Sequence, residues 1–295
     1  MFDAALVRKA RQADLALYLI SLGVPLVRSG GRYRHKVHDS LVIKGNMYYW
    51  NSRGCKGNSL DYLIRHMGLD FRDAVGALAG FVPVDAPRPP KAAPSGCAAG
   101  DFRRVFAYLH KARGISYDLL QFLVDKKLLA QEANTHNAIF FMRDEKGEAV
   151  GAELEGTLSD RRFKGVQAGS SYGYGFNVMP HGDAVDFILF FESAVDLLSF
   201  IQIKALDGKR LDNCLLVSMC GLKPNVVMHM TGIFGGQPVL CVDNDDAGDR
   251  FAASCTQAYL PDGAYVQVRH CRPLRHYKDW NEQLLASYTV NSKGG

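Results

Sequence analysis

Two stretches decide the fold: residues 186–200, DFILFFESAVDLLSF, and residues 238–252, PVLCVDNDDAGDRFA. Phe187-Ile188-Leu189-Phe190-Phe191 and Val239-Leu240-Cys241-Val242 are short apolar runs without alternation. Such runs are expected of parallel strands buried on both faces. Each gives way at once to carboxylates and a helical pattern. In an open parallel sheet, residues just past the carboxyl ends of the strands gather at one edge, where ligands bind. Glu192, Asp243 and Asp245 are therefore expected on a common rim. Carboxylates so grouped suit a hard cation with oxygen ligands, Mg²⁺ or Mn²⁺ holding phosphates. The same residues could cap helices, but the pattern is longer than a cap requires. Because strand ends fix the backbone, the site is expected to be largely preformed.

These residues resemble the toprim domain shared by DnaG-type primases, topoisomerases and some nucleases. That family places a Glu after its first strand and Asp-x-Asp-x-x-Gly after a later one. Here the pattern stands as Phe190-Phe191-Glu192-Ser193 and Asp243-Asn244-Asp245-Asp246-Ala247-Gly248. A third element, Lys-Asp before an acidic or amide position, matches Lys278-Asp279-Trp280-Asn281-Glu282. The match covers about 100 residues. It implies an α/β fold with metal bound by Glu192, Asp243, Asp245 and Asp279, and Glu192 as ligand or general acid/base. The toprim domain is expected over residues 181–295, with strands at 187–191, 214–219, 238–242 and 265–270. Helices are expected after the first and third strands, the latter over 246–260. The turn Ser218-Met219-Cys220-Gly221 falls on the same rim, where its glycine lets amides approach a phosphate.

A chain of 295 residues accommodates two or three domains. Its 47% apolar and 22% charged content is that of a soluble globular protein. No apolar run is long enough for a membrane span, and the charged start argues against a secretory signal, so no membrane partner is expected. The seven cysteines form no Cys-x-x-Cys and several lie in apolar runs. A reduced, cytoplasmic setting follows. Residues 1–80 hold 12 Lys and Arg against 6 Asp and Glu, while the remainder is nearly balanced at −1. A basic end on an acidic rim suits a protein that holds a polyanion at one place and acts on it at another.

Residues 13–23, ADLALYLISLG, have helical spacing and end on Gly23, a candidate cap. The next segment predicts two to four short antiparallel strands. Asn58-Ser59 then opens a helix, and a second helix runs from Phe71 to Ala79. This order resembles the zinc-ribbon domain at the front of DnaG-type primases, and Gly57-Asn58-Ser59-Leu60-Asp61-Tyr62-Leu63 keeps its helix start. The ligand positions are not kept: the first pair falls near His35 and His38, the second near Trp50 and Arg53. A tetrahedral zinc needs four such ligands, so zinc is not expected, and Tyr48, Tyr49 and Trp50 are expected to contribute an aromatic core. The domain over 1–80 is a degenerate, ribbon-like α+β unit. Arg32, Arg34, Lys36, Lys44, Arg53 and Lys56 interleave with Tyr33, Tyr48, Tyr49 and Trp50. That mixture offers phosphate attraction and base stacking to single-stranded DNA.

Residues 81–100, rich in Pro and Ala, are expected to be a linker. From Asp101 to residue 180 a small α+β domain is expected, with helices near Val105 to Leu109 and from Ser116. A hairpin turning at Asp144 to Gly147 follows. The stretch resembles the domain before toprim in primase-like proteins of mobile elements, of the LtrC type. Relatives often carry Arg-Gly-Thr where this chain has Glu155-Gly156-Thr157, so a basic contact is missing there. Lys164, beside Arg161 and Arg162, matches the position of a catalytic-core lysine that would bind nucleotide phosphate.

A topoisomerase would need a nucleophilic Tyr on a large separate domain, for which the length leaves no room. Toprim nucleases usually accompany an ATPase, and no Gly-x-x-x-x-Gly-Lys-Ser/Thr is present. The order ribbon, linker, basic middle, toprim implies a primase-like nucleotidyltransferase of plasmid or mobile-element replication or transfer. Its partners would be single-stranded DNA, nucleoside triphosphates and a helicase or relaxase. The alternatives are a single-strand-binding accessory with a relic metal site and a toprim nuclease.

Overall fold

The structure is a computed structural model that describes residues 4–291 apart from 23, 25, 37, 82–100, 159–162, 169, 172 and 263. The expected cap at Gly23, nearly all of the expected linker and the arginines at 161 and 162 lie outside the described residues.

The amino-terminal unit begins with α1 (Ala4–Gln12) and α2 (Leu15–Ser21), the second capped by the Asp14 side chain on Leu17 N–H at 2.9 Å. Five strands follow as an antiparallel meander: β1 (Leu26–Ser29), β2 (Arg32–His35), β3 (Leu41–Lys44), β4 (Met47–Trp50) and β5 (Cys55–Asn58). α3 (Ser59–His66) starts on a capping box in which Asn58 and Asp61 satisfy each other's backbone N–H groups. α4 (Phe71–Ala79) closes the unit. Tyr48, Trp50, Leu60, Tyr62, Leu63 and Leu78 are buried together beneath the sheet. Gly57 is required there, because a Cβ would lie 2.9 Å from the Tyr48 ring.

The second part is built on one nine-stranded sheet. α5 (Arg103–Ala107) runs into a π-helical turn (Tyr108–Ala112), and α6 (Tyr117–Asp125) is capped by Ser116. β6 (Leu129–Gln131), β7 (Ala138–Arg143), β8 (Ala149–Glu155), β9 (Lys164–Val166) and β10 (Phe176–Val178) are antiparallel. The β7–β8 hairpin turns where expected, with Asp144 accepting from Lys146 N–H and Glu148 N–H and Gly147 at φ 79°. β11 (Phe187–Phe191), α7 (Ala194–Leu206), β12 (Cys214–Ser218), α8 (Pro224–Phe234), β13 (Gln237–Leu240) and α9 (Asp246–Ser254) form the parallel part. β14 (Gln257–Tyr259) and β15 (Tyr265–Gln267) make a small separate ribbon. β16 (Arg269–His270) and α10 (Trp280–Asn291) complete the chain.

Strand order is β16-β13-β11-β12-β10-β7-β8-β9 with β6 beside β7, so the middle strands continue the toprim sheet through the antiparallel β10–β12 pair. The sheet thus crosses the expected boundary at residue 180. Strand alternation explains why β11 is apolar throughout. Leu189 and Phe191 face a core shared with α7, Trp280 and Leu284, whereas Ile188 and Phe190 face one shared with α8 and Phe251. Two expectations are corrected. The helix after β13 stops at Ser254 instead of reaching residue 260, because residues 257–259 extend to pair with β15 and deliver Tyr259 to the amino-terminal core. The single strand expected at 265–270 is split between that ribbon and the main sheet. α8, which the sequence reading did not anticipate, starts with Pro224 and ends on left-handed Gly235. No helix among the described residues is long and apolar enough to cross a membrane.

Candidate active site

β11 ends at Phe191 and β13 at Leu240, neighbours in the sheet, so Glu192 and Asp243 emerge side by side. With Asp245 and Asp279 they line a cleft of about 400 Å³. Its other walls carry Arg113, Lys164, Lys278, Asp196 and Glu155. All four expected metal ligands and the expected lysine are therefore brought to one place.

The Asp-Asn-Asp-Asp-Ala-Gly turn has a separate task for each of several residues. Asp245 caps α9, accepting from Ala247 N–H at 3.0 Å and Gly248 N–H at 2.9 Å. Asn244 donates its amide to the Tyr277 carbonyl at 2.8 Å and its N–H to the Lys278 carbonyl at 2.7 Å, tying the rim to the 273–278 loop. Gly248 leaves space for the Asp243 carbonyl, which also accepts from Arg272 Nη1. Arg272 Nη2 reaches the Gly248 carbonyl at 3.2 Å and Asp249 Oδ1 at 3.2 Å. The third element is divided similarly. Lys278 Nζ lies 3.7 Å from Asp245 Oδ2, and Trp280 donates to the Cys241 carbonyl at 2.8 Å from within the core. Asn281 donates to the Arg113 carbonyl at 2.8 Å and accepts from Arg113 Nη1 at 3.3 Å.

Electrostatics distinguish the carboxylates. Burial, then the charges of Asp196, Glu192, Asp279 and Asp245, push the Asp243 carboxyl up to about 8. Burial and Asp196 raise Glu192 as well. Asp245 is held below its ordinary range, chiefly by the Gly248 N–H and with help from Lys278. Glu192 Oε2 and Asp243 Oδ1 are buried, without a hydrogen-bond partner among the described residues. Two buried oxygens of this kind, in raised carboxyls, fit a hard cation that would satisfy both.

The expectation of a preformed ligand set is nonetheless corrected. Among the described residues no three His, Cys, Asp or Glu side chains converge on a common metal position. The backbone is placed by strand ends, and the side chains follow their local partners. Asp245 has turned instead to its helix and to Lys278.

Several site residues were missed. Asp196, in the first turn of α7, is buried with its carboxyl raised, chiefly by burial, and accepts from Ser193 Oγ. An acid within Val195-Asp196-Leu197-Leu198 was the available signal. Glu153 on β8 is buried, pushed up to about 7 mainly by burial, and accepts from Ala194 N–H at 3.0 Å and Ser218 Oγ at 2.5 Å. Arg113 had no sequence signal. Its guanidinium lies 3.8 Å from Glu155 and donates to the Tyr108 hydroxyl, which in turn donates to Glu155 at 3.0 Å. Glu155 stands where a basic residue was missing, and Arg113 brings a cation to that wall from another element. Lys164 Nζ is 4.0 Å from Glu155 Oε2 and half-exposed, in the cleft rather than on a solvated turn.

In the amino-terminal sheet, register places Arg34, Val42, Tyr49 and Lys56 in one cross-strand row. Arg32 and Lys44 share that exposed face, with Lys36 exposed just beyond β2. Tyr49 is 42% exposed. Trp50, expected both in the aromatic core and among the stacking residues, is in the core and is removed from the stacking set: it is 3% exposed, with the Arg53 guanidinium 3.8 Å from its ring centroid. Strand alternation accounts for the difference, since adjacent residues face opposite sides. His35 is buried, and burial followed by His38 lowers its imidazole to about 4. Cys55 Sγ lies 3.8 Å from His66 Nε2.

Carboxylates past the ends of adjacent parallel strands, joined to the Lys-Asp-Trp-Asn-Glu loop, define a toprim-type α/β domain. A family model described as Toprim-like matches residues 189–284, and one described as protein of unknown function (DUF3991) matches residues 107–183. Uncharacterized protein pXO2-78 of Bacillus anthracis is 30% identical over 275 residues, covering 83% of this chain and 77% of that protein. The chain belongs to the same family as that protein and carries a Toprim-like domain at residues 189–284. In overall arrangement the fold is similar to the primase fragment of the bacteriophage T7 primase-helicase protein, at TM-score 0.47 and 15% identity over 87% of this chain and 93% of that one. It is also similar to the zinc-binding and RNA polymerase domains of the Aquifex aeolicus primase, at TM-score 0.35 and 13% identity over 99% and 84%.

Proposed function

We propose that the protein is a metal-dependent, primase-like nucleotidyltransferase that joins nucleoside triphosphates on single-stranded DNA. The observation that carries this reading is the cleft itself, lined by Glu192, Asp243, Asp245 and Asp279 together with Arg113, Lys164 and Lys278. Acidic and basic side chains together lining about 400 Å³ suit a nucleoside triphosphate accompanied by its divalent cations. Glu192 and Asp243 would hold Mg²⁺ or Mn²⁺, with Asp245 and Asp279 joining when the cation offsets their repulsion. Such a cation supplies charge neutralisation at the reacting phosphate and lowers the pKa of a bound hydroxyl. Lys164 and Arg113 hold the triphosphate tail. The attacking 3′-hydroxyl would form the new bond to the α-phosphorus, the bond to pyrophosphate would break, and the hydroxyl proton would pass to solvent water. The exposed row of Arg34, Tyr49 and Lys56, with Arg32, Lys36 and Arg53, would hold single-stranded DNA by charge and stacking. Replication or transfer of a plasmid or mobile element, with a helicase or relaxase partner, is the setting this reading implies.

The test is primer synthesis on single-stranded DNA with labelled nucleotides and Mg²⁺ or Mn²⁺, beside Asp243→Ala. Products that lengthen with time in the parent and vanish in the variant are expected. Strand cleavage instead would assign a nuclease. Neither activity in either metal, with strand binding retained, would assign a binding accessory.

A further inference from the structure

A second, smaller cleft of about 270 Å³ adjoins the first, and Lys164 and Glu192 line both. Its remaining walls are Gly165 and Val166 of β9, the buried Glu153, and the Cys220–Lys223 turn after β12. Cys220 Sγ lies 3.3 Å from the Gly165 carbonyl, and Gly221 N–H donates to the Glu192 carbonyl at 2.8 Å, so the turn is fixed to both neighbouring elements. Gly221 sits at φ 96°, and a Cβ there would meet nothing within 4 Å, which leaves the wall open. Lys223 precedes the eleven-residue α8 and offers no side-chain cap, so the positive end of that helix adds to its ammonium charge.

A transferase of the proposed kind needs two anionic substrates at one metal rim, a triphosphate and a strand end. The first cleft accounts for one of them. We propose that the second cleft binds a backbone phosphate of the nucleic-acid strand whose end reaches Glu192, with Lys223 and Lys164 as its cationic contacts. This inference rests on reading the first cleft as the nucleotide site. Lys164 lies between the two, so strand phosphate and triphosphate meet on opposite sides of one ammonium group. Lys223 belongs to the strand alone, which makes it the residue to test.

The experiment measures binding of a labelled single-stranded oligodeoxynucleotide by anisotropy, and of a fluorescent nucleoside triphosphate with Mg²⁺, to the full chain. Lys223→Ala should weaken oligonucleotide binding about tenfold, the scale of one charged hydrogen bond. The salt dependence should become shallower by about 0.7 in log–log slope, the value for one lost phosphate contact on a single strand. Triphosphate binding should not change, Lys223→Arg should restore most of the affinity, and Lys209→Ala, at an exposed lysine paired with Asp207, should change nothing. Unchanged oligonucleotide affinity and slope in Lys223→Ala overturns the proposal, as does a loss confined to the triphosphate. Failure of the parent to bind the oligonucleotide also overturns it. Failure of the parent to bind triphosphate overturns the nucleotide reading, so the two outcomes are distinguishable.

Discussion

Gly248→Ala opposes two effects whose magnitudes can be compared. Gly248 lies in the first turn of α9, and in an ordinary helix the change to Ala gains about 1 kcal/mol. Here the added Cβ would sit 3.2 Å from Arg272 Nη1 and 3.3 Å from the Asp243 carbonyl carbon, closer still to the carbonyl oxygen. The obstacle is backbone, held from the far side by Arg272, so it cannot rotate away as a flexible side chain would. Overpacking of this kind costs roughly 1–3 kcal/mol. Shifting Asp243 also weakens the Arg272 contacts, each on the order of 1.5–3 kcal/mol for a charged hydrogen bond.

The clash and the strained guanidinium contacts outweigh the propensity gain, leaving a net loss of about 1–3 kcal/mol. Thermal unfolding followed by circular dichroism should show a Tm several degrees lower. The displaced atom belongs to the backbone of a proposed metal ligand, so Mn²⁺ affinity measured by calorimetry should fall as well. A variant more stable than the parent, with unchanged Mn²⁺ affinity, would refute the reasoning, because the close approach would then position nothing.

Asp243 is raised from 3.8 to about 8, so between those values the folded state keeps a proton that the unfolded state has lost. Its contribution therefore falls as pH rises from about 4 through about 8. With metal removed by EDTA, Asp243→Asn should lose part of that decline and exceed the parent in Tm at pH 9, and equal Tm values there would count against it. Glu192→Gln keeps size but removes charge, and should weaken Mn²⁺ binding with little change in Tm; calorimetry and unfolding together check both. Tyr49→Ala should weaken single-strand binding by about 1–3 kcal/mol with the fold intact, whereas Trp50→Ala should destabilise the amino-terminal unit by roughly 3–5 kcal/mol. Anisotropy and limited proteolysis separate the two, and a Trp50 variant that stays folded while losing only binding would return that ring to the interface. Removal of residues 1–85 should lower the stability of the remaining chain as well as its strand affinity, because Tyr259 packs into the amino-terminal core. An unchanged Tm in the truncated protein would contradict that packing.

What was legible in the sequence followed from local chemistry. The run Phe187 to Phe191 reads as a strand buried on both faces, as it is from Ile188 onward, and Glu192 lies past its end. Asn58 and Asp61 announce their capping box by spacing alone. The Asp243–Gly248 pattern gave both the rim and the start of α9. What remained illegible depended on contacts between distant segments. Tyr259 has helical spacing with Phe251 and Cys255, yet it is drawn into a strand because the amino-terminal core takes its ring. Trp50 and Tyr49 are chemically similar neighbours, and only the register of β4 decides which faces solvent. Arg113 is one basic residue among many until Asn281, more than a hundred and sixty positions later, holds it beside Glu155.

The same long-range placement explains the charge of the cleft. Among the described residues six carboxylates, Glu155, Glu192, Asp196, Asp243, Asp245 and Asp279, line it with the cations Arg113, Lys164 and Lys278. These cations are already matched, Lys278 with Asp245 and both Arg113 and Lys164 with Glu155. The negative excess is concentrated on Glu192, Asp196 and Asp243, the three whose carboxyls are raised. A purely structural cluster would relieve such repulsion with nearby lysine or arginine, since buried charge without compensation is costly. Here Glu192 Oε2 and Asp243 Oδ1 are both buried, and among the described residues neither has a donor. A divalent cation at that position would lower both pKa values and release protons on binding, so its affinity should rise steeply between pH 6 and pH 9 by the linkage of ligand deprotonation to metal binding. Calorimetry in buffers of different ionisation enthalpy measures that proton release directly. Binding without it would mean that the raised carboxyls are not the ligands.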